Sequence, residues 1–83
     1  MCANGVNTQQ LQDTVKHIDE TVALTRRWTH QMYHLADNGK MERAAAQLQK
    51  VQAALDDVRA LLDEAHDAIE RDDRDNGVTV AAV

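Results

Sequence analysis

A regular apolar repeat runs through the second half of this chain, from residue 41 to residue 69. Successive apolar residues are separated alternately by three and four positions, the spacing of a helix that buries one stripe against another helix. The stripe consists of Met41, Ala44, Leu48, Val51, Leu55, Val58, Leu62, Ala65 and Ile69. The pattern predicts a long helix of the coiled-coil type, and it carries no information about chemistry.

A weaker repeat with the same spacing occupies the first half of the chain. Its members are Leu11, Val15, Ile18, Val22, Thr25, Thr29, Met32 and Ala36. Thr25 and Thr29 place hydroxyl groups in the stripe, which a helix tolerates because threonine can donate to the carbonyl oxygen four residues earlier. Asn7 or Thr8 can cap the start of this helix, with Gln10 completing a loose capping box.

The tripeptide Asp-Asn-Gly occurs at 37–39 and again at 75–77. Asparagine and glycine tolerate the left-handed conformation that ends helices. We therefore predict a first helix over about 8–38, a second over about 40–75, and flexible ends at 1–7 and 76–83. Because the link is short, the helices must be antiparallel, and residues whose numbers sum to about 78 should lie at the same height. The predicted fold is an all-α, antiparallel two-helix hairpin with a heptad seam.

A hairpin of 83 residues has little core, and Cys2 is its single cysteine, so no internal disulfide can reinforce it. Further apolar residues widen both stripes: Leu24, Trp28 and Leu35 in the first helix, and Ala54, Leu61 and Ala68 in the second. We therefore expect a homodimer that forms a four-helix bundle. The alternative is that a different protein covers this surface. The predicted protein interface consists of Leu24, Trp28, Met32, Leu35 and Leu61.

Charge is distributed unevenly along the predicted hairpin. Residues 26–50, around the turn, hold five basic and two acidic residues, a net charge of +3. Residues 51–83 hold nine acidic and three basic residues, a net charge of −6, and residues 1–25 have a net charge of −2. Antiparallel pairing of two hairpins would bring the basic tip of each against the acidic legs of the other.

Two groups of residues have the spacing of metal ligands. Asp63, His66 and Glu70 share one edge of the second helix and resemble part of the acid-x-x-His pattern of metal-binding helical bundles. His30 and His34 are four residues apart on the first helix, but no glutamate lies between them and two arginines precede them. We keep Asp63, His66 and Glu70 as an alternative metal site, and expect His30 and His34 to belong to an exposed polar face.

Nine acidic residues between 56 and 75 form a row that could imitate the phosphates of DNA, so an acidic DNA-mimic inhibitor is a second alternative. Arginines interrupt the row at Arg59, Arg71 and Arg74. Direct binding of nucleic acid is not expected at a net charge of −5, and Trp28 lies on the opposite flank of its helix from Arg27.

The sequence offers no sign of catalysis, since it has no serine and no glycine-rich phosphate loop. We expect a non-enzymatic protein-interaction module without a cofactor, acting as an adaptor, regulator or inhibitor. No segment is apolar enough to suggest a membrane span, and the first residues lack the pattern of a signal peptide. The sequence interpretation is therefore a cytoplasmic protein whose partner is a second copy of itself or another protein.

Overall fold

Two α-helices packed side by side make up the fold. The computed structural model describes residues 7–82, and the side chains of residues 7–75. Helix α1 spans Thr8–Asn38 and helix α2 spans Glu42–Ala82, with no strand in this part of the chain. The molecule is narrow, with extents of 65 × 16 × 15 Å. These features confirm the predicted all-α hairpin. The prediction of a flexible N-terminus lies, apart from Asn7, outside the described residues.

Asn7 caps the start of α1. Its backbone is extended, with φ −106° and ψ 108°, and its side-chain oxygen accepts a hydrogen bond of 3.1 Å from the backbone N–H of Gln10. This bond satisfies one of the amide groups that a helix N-terminus leaves without an intrahelical partner. Of the two predicted capping residues, the structure therefore uses Asn7.

The turn between the helices places its left-handed residue one position later than the sequence suggests. Gly39 has φ −81°, within the range of ordinary residues, whereas Lys40 has φ 61°. The backbone N–H of Lys40 donates to the carbonyl of Asp37, and that of Met41 donates to the carbonyl of Ala36. These two bonds form a Schellman motif in which Lys40 occupies the position that glycine usually takes.

The second Asp-Asn-Gly tripeptide does not end a helix. We predicted that the second helix would stop near Asp75, but α2 continues through Asn76 and Gly77 to Ala82. Asparagine and glycine lower the helix propensity by about 1 kcal/mol or less each, whereas only proline both lacks the N–H and clashes with the preceding turn. Because the sequence contains no proline, no residue of that kind interrupts α2 at this point. The last turns of α2 therefore extend beyond the start of α1.

The seam between the helices uses only part of each apolar stripe. Residues spaced by seven face the other helix and are buried or half-buried: Val15, Val22, Thr29 and Ala36 in α1, and Leu48, Leu55, Leu62 and Ile69 in α2. Other members of the stripes are more exposed: Leu11, Ile18 and Met32 in α1, Met41 just before α2, and Val51 and Val58 in α2. Ala44 and Ala65 of the α2 stripe are half-buried. The prediction that the stripe faces the neighbouring helix is therefore confirmed for part of its members.

A column of polar residues borders the seam on the side opposite the exposed apolar residues. Its members are half-buried and again spaced by seven: Gln12, Asp19, Arg26 and Tyr33 in α1, and Gln52, Arg59 and His66 in α2. Asp19 accepts two hydrogen bonds from Arg59, and Arg26 donates two to Asp56. Paired charges can be half-buried at little cost, and this pairing makes the polar column compatible with the seam.

The register of the hairpin follows from these contacts. Residues bonded across the seam have numbers that sum to 78 for Asp19 and Arg59, and to 82 for Arg26 and Asp56. The predicted sum of about 78 is thus confirmed to within about one helical turn.

The hydroxyl groups of threonines inside α1 form hydrogen bonds to the backbone of the same helix. Thr14, Thr21, Thr25 and Thr29 each donate to the carbonyl oxygen four residues earlier, at 2.8–3.0 Å. Thr29 is 7% exposed and would otherwise bury an unpaired hydroxyl. The expected return of the threonine hydroxyls to the backbone is therefore confirmed.

Candidate protein-binding surface

Large apolar side chains lie exposed along one side of the hairpin, which we call the apolar face. Consecutive helical residues are about 100° apart, so Ile18 and Asp19, or Val58 and Arg59, lie on opposite flanks of the seam. The apolar face consists of Leu11, Ile18, Leu24, Trp28, Met32 and Leu35 from α1, Met41 from the turn, and Val51, Val58 and Leu61 from α2.

Both helices contribute to this face near the turn. A shallow groove of about 260 Å³ is lined by Met32, Leu35 and Ala36 of α1, by Met41 of the turn, and by Ala44 and Leu48 of α2. All six side chains are apolar, and the left-handed residue at Lys40 brings Met41 back beside Ala36. The groove is therefore a continuous apolar surface across the seam.

The five predicted interface residues are all exposed on α1 and α2. Leu35 is 71% exposed, Leu61 62% and Trp28 57%. Trp28 lies one helical turn before Met32, and Leu24 one turn before Trp28, so the α1 residues form a continuous row. Leu24 lies at the outer edge of the apolar face, because its position is turned furthest from α2 among the members of that row.

The sequence interpretation missed half of the apolar face. Leu11, Ile18, Met41, Val51 and Val58 were assigned to the seam, because they keep the three-four spacing of a buried stripe. The signal that could have placed them was the polar column, since Asp19 and Arg26 are seven residues apart beside the α1 stripe and Arg59 occupies the corresponding column of α2. A helix that directs Asp19 or Arg59 toward its neighbour must turn Ile18 or Val58 away.

Polar interactions cover the opposite side of the hairpin, which we call the polar face. Arg26 Nε lies 2.6 Å from Asp56 Oδ1, and Arg59 Nε lies 3.0 Å from Asp19 Oδ1. At the two ends of this face, His30 contacts Gln52 and the Thr8 hydroxyl donates to Asp73. Among the described residues, the two faces therefore differ sharply: one is bonded across the seam and the other is apolar.

Asp19 keeps Arg59 firmly charged. The side-chain hydrogen bond to Asp19, followed by the negative charge of that carboxylate, raises the pKa of the Arg59 guanidinium above its usual value. A guanidinium is protonated at any ordinary pH, so the Arg59 side of this pair stays charged.

The alternative metal site is only partly assembled as expected. His66, Asp67 and Glu70 bring one donor atom each within 4.8 Å of one another, whereas the predicted partner Asp63 is not in this group. His66 Nδ1 lies 4.0 Å from Asp67 Oδ1, and Glu70 also lies 3.8 Å from the guanidinium of Arg74. Two of the three donors are exposed carboxylates on one turn of α2, an arrangement that surface helices often show without a metal.

The second histidine pair forms a close contact on the polar face. His30 Nε2 and His34 Nε2 are 3.0 Å apart, and the two rings are almost perpendicular at 87°. His30 Nδ1 lies 3.2 Å from Gln52 Oε1 of α2. The pair is exposed, as the sequence predicted, but its two ring nitrogens face each other rather than solvent alone.

No protein-family model matches this chain, and no curated protein or solved structure matches it either. In the part of the chain that the structure describes, neither helix contains a segment apolar enough to span a membrane.

Proposed function

We propose that this chain is a protein-interaction module whose apolar face is covered by a second copy of the hairpin, giving an antiparallel four-helix bundle. The observation that carries the proposal is that the two faces of the hairpin differ in their contacts. Side chains on the polar face are bonded across the seam, whereas Trp28, Leu35 and Leu61 are more than half exposed. Contiguous apolar surface of this kind is typical of interfaces.

The size of the hairpin supports the same proposal. Within residues 7–75 the buried apolar side chains are Ala36 and Ala45 alone, and no large side chain is fully buried. A core of that size contributes little to the free energy of folding. Association through the apolar face would bury the alternate members of both stripes and complete a core of ordinary composition.

Trp28 and Leu35 are the residues on which we expect binding to depend most. Tryptophan frequently dominates the binding energy of an interface, because one side chain removes a large apolar area from water. Leu35 lines the groove together with Met41, and a partner side chain in this groove would contact both helices.

Leu35→Asp tests the proposal, because a carboxylate on the apolar face must be desolvated when the partner binds. We expect the wild-type chain to be a dimer by native mass spectrometry and by light scattering, and Leu35→Asp to be a monomer at the same concentration. Gln49→Asp is the matched control, since it adds the same charge at an exposed position beside the polar face and should remain dimeric.

A wild-type chain that is monomeric at high micromolar concentration would contradict self-association. Binding of a different protein would then have to be sought, and Leu35→Asp should abolish that binding while Gln49→Asp should not. If both variants keep the wild-type mass and the wild-type partner, the apolar face is not the binding surface.

The DNA-mimic alternative stays a prediction that the geometry does not favour. Asp56 is engaged by Arg26, and Glu70 lies near Arg74, so the row of carboxylates is partly neutralised. The metal-binding bundle also stays a prediction, and the cluster at His66 would be its site. Loss of bound metal on His66→Gln would support it.

A further inference from the structure

We propose that His30 and His34 form a two-histidine site on the polar face for a late first-row divalent metal ion, with Cu²⁺ bound more tightly than Ni²⁺ or Zn²⁺. This inference is independent of the proposed dimer, because it concerns the opposite face of the hairpin.

The separation of the two nitrogens carries the proposal. His30 Nε2 and His34 Nε2 are 3.0 Å apart. Metal–imidazole bonds are about 2.0–2.1 Å long, so the N–metal–N angle at an ion bonded to both atoms would be about 94°. An angle near 90° suits the square-planar or tetragonal geometry of Cu²⁺ and Ni²⁺ better than the tetrahedral geometry of Zn²⁺. The order of intrinsic affinities also places Cu²⁺ first.

Gln52 orients one of the two rings from the neighbouring helix. Its side-chain oxygen lies 3.2 Å from His30 Nδ1, and an amide oxygen accepts a hydrogen bond. When Nδ1 donates that bond, the neutral imidazole carries its proton there, and its Nε2 lone pair accepts the hydrogen bond from His34 Nε2–H. A bound ion takes the place of that proton, which His34 then carries on Nδ1. A histidine that binds metal through one nitrogen commonly donates the other N–H to a carbonyl or carboxylate oxygen in this way.

The charges around the histidine pair repel a cation less than the two preceding arginines suggested in the sequence. Arg26 is neutralised by Asp56, with nitrogen–oxygen distances of 2.6 and 3.4 Å. Arg27 precedes His30 by three residues, but Asp37 follows His34 by three residues and lies on the same side of the helix. One free cationic group and one anionic group therefore flank the histidine pair.

The site would leave coordination positions open. The hairpin supplies two imidazole nitrogens, and a cleft of about 310 Å³ lined by His30, Tyr33, Gln49 and Gln52 adjoins them. Water or an external carboxylate or imidazole would complete the coordination, because late transition metals accept these donors. Mg²⁺ prefers oxygen ligands and should not bind.

The experiment uses untagged full-length protein carrying Cys2→Ser, which removes a thiol that would bind or reduce Cu²⁺. Isothermal titration with CuCl₂, NiCl₂, ZnCl₂ and MgCl₂ is compared for this protein, for His34→Gln and for His66→Gln. We expect one strong Cu²⁺ site per chain, weaker binding of Ni²⁺ and Zn²⁺, and none of Mg²⁺. His34→Gln should weaken Cu²⁺ binding at least about tenfold, because one of two metal bonds is lost, whereas His66→Gln should leave it unchanged.

Two results would overturn the proposal. Unchanged Cu²⁺ affinity in His34→Gln would show that the pair is only a hydrogen-bonded contact, and loss of binding in His66→Gln would assign the ion to the cluster on α2. Thermal unfolding provides a second readout: Cu²⁺ should raise the unfolding temperature of the parent protein and not that of His34→Gln. Because both histidines are exposed, the oligomeric mass of His34→Gln should equal that of the parent whether or not the metal site exists.

Discussion

Lys40 adopts a backbone conformation that its side chain disfavours. With φ at 61° it lies in the left-handed region, where the Cβ atom crowds the following carbonyl at a cost of about 1–2 kcal/mol. The Schellman bonds of Lys40 and Met41 hold the turn in this conformation. Gly39, which would accept the conformation without penalty, stands one residue earlier at φ −81°.

Lys40→Gly should therefore stabilise the hairpin by about 1 kcal/mol, since the relief of strain exceeds the added entropy of the unfolded chain. Urea denaturation followed by circular dichroism measures the change. The matched control is Lys50→Gly, the same substitution at an exposed right-handed position within α2, which should destabilise by about 1 kcal/mol. Two changes of the same sign would contradict the conformational explanation.

At the scale of the helices, each helix offers three functional sides. One column of apolar residues faces the other helix, a polar column beside it is bonded across the seam, and a second apolar column remains exposed. Leu55 represents the first column and Leu61 lies beside the third. The two leucines are of equal size and are on the same helix, so they separate folding of the hairpin from its association.

Leu55→Ala should lower the free energy of unfolding by about 1–2 kcal/mol, less than the 2–5 kcal/mol of a fully buried leucine, because Leu55 is half-buried. This loss should not depend on protein concentration. Leu61→Ala should have little effect at concentrations where the chain is monomeric and should weaken association at higher concentration. Chemical denaturation at several protein concentrations distinguishes the two effects, and the opposite pattern would reverse the assignment of the columns.

At the scale of the whole molecule, charge is polarised along the length of the hairpin. The region around the turn carries a net charge of +3, and residues 51–83 carry −6. Two hairpins that pair in opposite directions place unlike charges together, whereas parallel pairing places the two basic tips together. The long, narrow shape, 65 × 16 × 15 Å, makes the two orientations easy to distinguish.

Spin labels at the tip should report the orientation of the dimer. In Asp37→Cys on the Cys2→Ser background, antiparallel pairing puts the two labels about 40 Å apart, since the tip is about 13 residues from the centre of the hairpin at 1.5 Å per residue. Parallel pairing puts them within about 25 Å, because both tips then lie at the same end. Pulsed dipolar spectroscopy measures the distance, and a single short distance would contradict the antiparallel bundle.

The same polarity should make the proposed association sensitive to salt. Attraction between exposed charges is screened over about 8–10 Å at ordinary ionic strength, while burial of Trp28 and Leu35 is not. A dimer that weakens moderately in salt, yet persists, would match an interface whose affinity comes from apolar contact and whose direction comes from charge.

The sequence by itself determined the two helices, apart from the end of α2, and the hairpin. Three-four spacing of apolar residues and an Asp-Asn-Gly break at 37–39 leave few alternatives to two antiparallel helices, because both signals act within a few residues along the chain. Trp28, Leu35, Leu24 and Leu61 were also predictable as surplus apolar residues, since one neighbouring helix covers only part of a wide stripe.

Only the tertiary structure decided which part of each stripe is covered. An apolar column and its neighbour satisfy the three-four pattern equally well, so the pattern cannot say which of them faces the other helix. Asp19 pairs with Arg59 and Arg26 pairs with Asp56 across the polar flank of the seam, and in this rotation of the helices Ile18, Met32, Val51 and Val58 remain exposed. The rotation depends on residues 30–40 positions apart in the chain, a coupling that exists only once the two helices lie side by side.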